Sequence, residues 1–445
     1  MTGSFWGMAY SGETSLAFPG FIVSDRTKVF ALTLKIAHVR ALMAPTSIFP
    51  AIGLTILFFW IAKLIVKHSA FYQQVMQKAD QAQYKALDGL RGFLALGVFF
   101  HHAVVNYQYF QIGTWQASPS NFYSFAGQGA VAFFFMITGF LFWSKIISGS
   151  RLNLKDFYIK RALRVLPAYW FSLAIIVFIV LIVSGFSLKV SLPRFFIQIG
   201  SWLICGIYGF SNVSNVFPDI NYSSVGLINA SVQWTLTYEL QFYLILPFLV
   251  WFAKPSRFSG LFLTFLALSL VSSYQPLLTV MSFLFGMTAA YFIRRFKPNQ
   301  QRFLSWQASL GIILLLVAIP TALPQPYLYN VGVIALIFFA FVLIAYGNDL
   351  FGLLTASASR YLGTISYSVY LLHGIIFFSV LRLVNQIYPI AGMHPIYFWM
   401  LVGLCGLIVI SLSGLTYRYI EYPFLRVKSA VAAPSASSDR YPVEK

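Results

Sequence analysis

Long apolar runs broken by short polar links repeat along the chain from about residue 47 to residue 417. Stretches near 47–66, 90–109, 126–147, 166–185, 236–253, 260–274, 276–293, 308–323, 329–346, 362–383 and 396–417 approach the roughly 17–25 apolar residues that a membrane helix needs. Lipid offers the backbone no hydrogen bonds, so runs of this length are helices that satisfy their own N–H and C=O groups. The pattern therefore predicts an all-α fold, a polytopic integral membrane helix bundle of about 10–11 transmembrane helices. The apolar piece 195–210 is shorter and reads as a re-entrant or interfacial segment. No internal repeat of the kind found in transporters is visible by eye.

Composition removes the alternatives. Only 9% of residues are charged and 59% are apolar, against about 25% charged in a soluble domain. That excludes an ordinary soluble enzyme, a disordered chain and a disulfide-stapled module. The net charge of +19 first suggests nucleic acid, but the basic residues sit between apolar runs rather than on one soluble face, so no nucleic-acid partner is expected. The positive-inside rule accounts for them. It puts the links 67–91, 145–164 and 294–302 and the tail with Arg426 and Lys428 in the cytoplasm, and the Lys- and Arg-free links 110–125 and 324–328 outside. Loop 211–233 also falls outside, with Lys189 and Arg194 as exceptions to the rule. The basic segment 1–46 fits poorly, because counting spans puts it outside. Residues 1–83 are read as an extension with an extra membrane helix, and the Ala/Ser/Pro-rich 429–445 as a disordered cytoplasmic tail. Cys205 and Cys405 lie in apolar surroundings and read as small buried hydrophobes. No Cys/His cluster or phosphate loop is present, so no metal is expected. Gly127-Gln-Gly-Ala-Val-Ala132 opens a membrane span rather than following a strand, so it is no dinucleotide site.

An ionisable residue inside the bilayer is costly and marks function by default. Among the acids only Glu239 lies well inside an apolar run, and among the histidines His101, His102 and His373 do. Arg91 and His102 are eleven residues apart. On a helix that is three turns plus about 20°, with an axial separation of about 16 Å, so both lie on one face. His101 lies about 80° off that face. His373 reaches a depth similar to that of His102, and the two could share a buried site.

Five segments together resemble the membrane-bound acyltransferase 3 family. They are Leu87-Asp-Gly-Leu-Arg-Gly with His102 beyond it, Phe133-Phe-Phe-Met-Ile-Thr-Gly-Phe140, Phe157-Tyr-Ile-Lys-Arg-Ala-Leu-Arg-Val-Leu-Pro-Ala-Tyr169, Trp234-Thr-Leu-Thr-Tyr-Glu-Leu-Gln-Phe-Tyr-Leu-Ile-Leu-Pro247, and Ser366-Tyr-Ser-Val-Tyr-Leu-Leu-His373 followed by Tyr417-Arg-Tyr-Ile-Glu-Tyr-Pro-Phe424. Thr138 stands where the family usually has Ser, which keeps the hydroxyl. The resemblance covers roughly 84–428. Some relatives add an esterase-like domain after the last helix; none is expected here.

The resemblance implies an enzyme of the bacterial inner (cytoplasmic) membrane, with a cytoplasmic C-terminus. It would move an acyl group, usually acetyl, from cytoplasmic acyl-CoA to a sugar hydroxyl. The acceptor would be a surface polysaccharide, such as lipopolysaccharide O-antigen or exopolysaccharide, or its lipid-linked precursor. Arg161 and Arg164, at i,i+3, would hold the donor's phosphates with Arg91 and His373. His102 would be general base or transient acyl carrier. Glu239 would orient His102 or bind the acceptor with Tyr238 and Trp234, and Arg91 would assist catalysis. Arg418 and Glu421 read equally well as a structural ion pair. Two other readings remain open: a transporter or flippase of lipid-linked sugars, and an acyltransferase acting on a lipid or small metabolite.

Overall fold

The computed structural model describes residues 43–81, 83–149, 153–186, 191–205, 225–271, 275–296 and 300–431. The basic segment before residue 43, Lys189, most of the 211–233 loop and the tail beyond residue 431 lie outside the described residues. Each apolar run became a helix. The first half comprises α1 (Phe49–His68), α2 (Ala70–Ala79), α3 (Lys85–Ile112), α4 (Asn121–Ile147), α5 (Leu154–Val183), α6 (Leu192–Leu203) and α7 (Gln233–Leu249). The second half comprises α8 (Pro255–Val271), α9 (Gln275–Arg295), α10 (Gln300–Phe303), α11 (Trp306–Ala322), α12 (Val331–Ala345), α13 (Ser357–Thr364), α14 (Ser366–Ile387), α15 (Pro395–Thr416) and α16 (Tyr422–Val431).

The polar links end helices as well as joining them. Asn153, Ser305 and Asn330 each accept a hydrogen bond from a backbone N–H of the helix that follows, which satisfies one of its orphan donors. Pro395 occupies the first turn of α15, where no N–H partner is needed.

Seven of the described helices are long and apolar enough to cross a membrane, and three shorter apolar helices accompany them. The central helix α3 is not among the seven, although it has 28 residues. Arg91, His101, His102 and Asn106 lower its hydropathy, and it lies among α4, α13 and α14, where polar groups need not meet lipid.

Glycines set these contacts. A Cβ on Gly89 would enter the Leu354 carbonyl, and one on Gly363 the Asp88 carbonyl. The Asp88-Gly-Leu-Arg motif is thus first a packing motif that lets α13 touch the α3 backbone. Gly139 and Gly286 do the same reciprocally for α4 and α9.

The bundle has two chemically different ends. Gln128 Oε1 accepts from the Tyr327 and Leu328 N–H groups, and Gln325 Nε2 donates to the Ser118 carbonyl, which ties together the two links without Lys or Arg. At the other end the Arg294 guanidinium donates to the Ile147 carbonyl, joining two basic links. Ser47 is held at the uncharged end by Tyr123 Oη at 2.6 Å, so α1 starts there, as the count of spans requires. The described start of the ambiguous piece 195–210 belongs to the 12-residue α6, too short to span, fixed to α5 by Tyr169 Oη on the Trp202 carbonyl; residues 206–210 lie outside the described residues.

Candidate active site

A cavity of about 250 Å³ opens in the basic half of the bundle. Its polar lining comes from five long helices. Arg91 projects from α3, Thr138 and Lys145 from α4, Arg161 and Arg164 from α5, Thr235, Glu239 and Tyr243 from α7, and Ser366, Tyr367 and Tyr370 from α14. Three guanidinium groups and an ammonium face one carboxylate within this space. Such a surplus of positive charge fits a ligand with several phosphates, and guanidinium forks match phosphate geometry.

The arginines differ in their surroundings. The Arg161 guanidinium lies 4.8 Å from the Phe142 ring centroid and 5.9 Å from that of Tyr243. Tyr243 donates to Glu239. Arg164 Nη1 is 2.9 Å from Glu421 Oε2, and Ser368 Oγ donates to the other carboxylate oxygen at 2.5 Å. Glu421 is 1% exposed and Arg164 19%, so the carboxylate is buried while the guanidinium still reaches the cavity. A π-helical turn, Tyr417–Glu421, carries this carboxylate into the bundle.

Towards the uncharged end stand two imidazoles in contact. His373 Nε2 lies 2.9 Å from His102 Nδ1, and His373 Nδ1 lies 3.0 Å from the Val369 carbonyl oxygen. A carbonyl only accepts, so His373 carries its proton on Nδ1. Its Nε2 is then a lone pair, and His102 must donate to it from Nδ1. His102 Nε2 is left unprotonated and free to act as a base. Trp115 lies against the His102 ring, centroids 6.3 Å apart at 20°. His101 is turned away, its Nδ1 2.9 Å from the Tyr123 carbonyl.

The residues singled out from the sequence are only partly brought together. Arg91, Arg161, Arg164 and Glu239 share the cavity. His102 and His373 share a hydrogen bond outside its lining. Glu239 keeps company with the arginines and Tyr243, while the ring partner of His102 is His373. Trp234 and Tyr238 pack on Phe135, at 6.3 and 6.4 Å between centroids, and do not line the cavity. The ion pair read between Arg418 and Glu421 is corrected. Glu421 pairs with Arg164, because the π turn rotates it inward, and Arg418 lies over the Phe71 and Tyr419 rings. Lys145, Thr235, Tyr370 and Ser368 were not singled out. The sequence signal for Glu421 was present, as an acid just beyond the last apolar run, but nothing in it named the partner.

A polytopic membrane protein with a cation-lined cavity beside a tautomer-fixed imidazole pair has the equipment for transferring a group from an anionic donor. The chain belongs to a family known from its sequence model as an acyltransferase domain, which matches residues 84–417. The match begins where the recognisable motifs begin and stops before Glu421. The chain is similar to the O-acetyltransferase OatA of Staphylococcus aureus strain NCTC 8325, with 26% identity over 382 residues. It is also similar to nodulation protein 10 of Rhizobium leguminosarum bv. viciae, with 31% identity over 168 residues. The first alignment covers 76% of this chain and 56% of the OatA chain, and the second covers 37% and 43%. The chain thus spans little more than half the length of the OatA relative. No solved structure matches it.

Proposed function

We propose that the protein transfers an acyl group, acetyl above all, from cytoplasmic acyl-CoA to a hydroxyl of a surface glycan or its lipid-linked precursor. The observation that carries this reading is the hydrogen bond between His102 Nδ1 and His373 Nε2. It leaves His102 Nε2 as a base within the membrane, between a cation-lined cavity and the uncharged end. Arg91, Lys145, Arg161 and Arg164 take the phosphates of CoA at the basic end, which the positive-inside rule puts in the cytoplasm. The acceptor reaches His102 from the Trp115 side.

The acceptor hydroxyl is a weak nucleophile. As its oxygen attacks the thioester carbonyl, His102 Nε2 removes its proton. The resulting imidazolium keeps its Nδ1–H on His373 Nε2. Collapse of the tetrahedral species breaks the C–S bond, and the CoA thiolate recovers the proton from His102. His373 thus takes the orienting place that a carboxylate holds in a Ser-His-Asp triad.

The test is O-acetyl content of the host's surface glycan by NMR, in a deletion strain complemented with the parent gene or His102→Ala. The parent should restore the acetyl signal, and an equally expressed His102→Ala should not. A deletion that leaves glycan acetate unchanged would move the acceptor to a lipid or small molecule.

A further inference from the structure

We infer that the Tyr370 hydroxyl is the hydrogen-bond donor to the carbonyl oxygen of the bound acyl thioester, and so a catalytic residue. The inference rests on the acyl-transfer reading above. That reading leaves one need unmet. Attack on a thioester puts negative charge on the carbonyl oxygen, and a site in the membrane interior must supply a donor for it. The donor has to stand where the cavity meets the histidine pair.

Tyr370 occupies that place. It lines the cavity, and its ring centroid is 6.0 Å from that of His373, one helical turn further along α14. Of the other hydroxyls of the cavity wall, Thr235 is the partner of Tyr370 and the rest are committed or misplaced. Ser366 donates to the Gly363 carbonyl, Tyr367 to the Val165 carbonyl and Tyr243 to Glu239. Thr138 lies one turn nearer the basic end than Phe134, the α4 residue beside Tyr370. Arg91 is about three turns from His102, too far for its guanidinium to share a reacting atom with that base.

The bonds of Tyr370 let its O–H turn to a ligand. Its oxygen is 2.8 Å from Thr235 Oγ1 and 3.2 Å from the Val232 carbonyl, while Thr235 Oγ1 lies 2.9 Å from that same carbonyl. When a donor binds, Thr235 can turn its O–H to Tyr370, and Tyr370 can turn its own to the ligand. Val232 is the N-cap residue of α7 and keeps its place at the helix start. During transfer the acceptor oxygen bonds to the carbonyl carbon, and the carbonyl oxygen becomes an oxyanion held by the Tyr370 O–H. Tyr370 keeps its proton, the C–S bond breaks, and the thiolate takes the proton carried by His102.

The experiment uses the purified full chain with acetyl-CoA and an oligosaccharide acceptor. Tyr370→Phe should lower kcat about 100-fold, with CoA affinity and melting temperature unchanged. Thr235→Val should lower it about tenfold, because it removes only the pin on the phenol. A Tyr370→Phe protein with parental kcat overturns the inference. So does one whose loss of activity merely tracks lost stability. If that variant does not fold, 3-fluorotyrosine at position 370 keeps the shape and changes only the acidity of the hydroxyl. A changed kcat then supports the inference, and an unchanged kcat overturns it. The parent protein and His102→Ala together separate the two levels. If the parent protein transfers no acetyl from acetyl-CoA, the acyl-transfer reading falls; if His102→Ala is inactive beside a fully active Tyr370→Phe, only the present inference falls.

Discussion

At the residue scale the decisive feature is a proton count. Two neutral imidazoles can share a hydrogen bond only when one donates and the other accepts, and the Val369 carbonyl decides which is which. His373→Phe removes the acceptor and frees His102 to adopt the other tautomer. We expect kcat to fall about 100-fold with the KM for acyl-CoA unchanged, read from acetyl-transfer kinetics of the purified protein. Arg161→Ala should act on the opposite parameter. Losing one charge-assisted contact to a phosphate should raise the KM for acyl-CoA about tenfold or more and leave kcat near the parental value. Arg164 is different again, because its partner Glu421 is buried. Arg164→Ala strands that carboxylate and should cost about 3–5 kcal/mol of stability. The loss should appear as a lower melting temperature, partly recovered by adding Glu421→Gln. Equal melting temperatures for Arg161→Ala and Arg164→Ala would contradict this division of roles.

At the scale of elements, the apolar runs were enough to locate the long helices, because in lipid length and hydropathy leave few other structures. Helical geometry also put Arg91 and His102 on one face of α3. What the sequence concealed was contact between distant segments. Similar depth suggested that His102 and His373 could share a site, but nothing in Ser366–His373 reveals that they are hydrogen-bonded across 271 positions. The inward turn of Glu421 depends on a π turn that periodicity at 3.6 residues does not anticipate. Trp234 and Tyr238 read from sequence as acceptor-binding residues beside Glu239, and their rings pack on Phe135. The glycines of the Asp88-Gly-Leu-Arg motif carry a prediction at this scale. Gly363→Ala forces α13 off the α3 backbone and should destabilise the protein by about 1–3 kcal/mol, as overpacking does. The readout is the melting temperature in detergent, and a value equal to that of the parent would show that the helices can separate without cost.

At the scale of the whole molecule, the protein is a bundle with one basic end, an opposite end whose links 110–125 and 324–328 lack Lys and Arg, and the proposed reactive groups between them. A donor and an acceptor can approach His102 from opposite ends, so CoA need not cross the membrane. This arrangement requires the basic end to be cytoplasmic. A cysteine introduced at Ser148 should react with a membrane-impermeant thiol reagent only from the cytoplasmic side, and one at Gln116 only from outside. The native Cys205 and Cys405 are buried and should stay silent. Labelling of both sites from the same side would overturn the two-ended account.

The most direct test of that account is acetyl transfer from acetyl-CoA by purified His102→Ala, measured beside its CoA affinity. The account predicts that CoA still binds with parental affinity, because His102 lies outside the cavity lining, while transfer falls at least about 100-fold. Transfer at the parental rate would remove His102 from the chemistry and, with it, the claim that the histidine pair is the active centre.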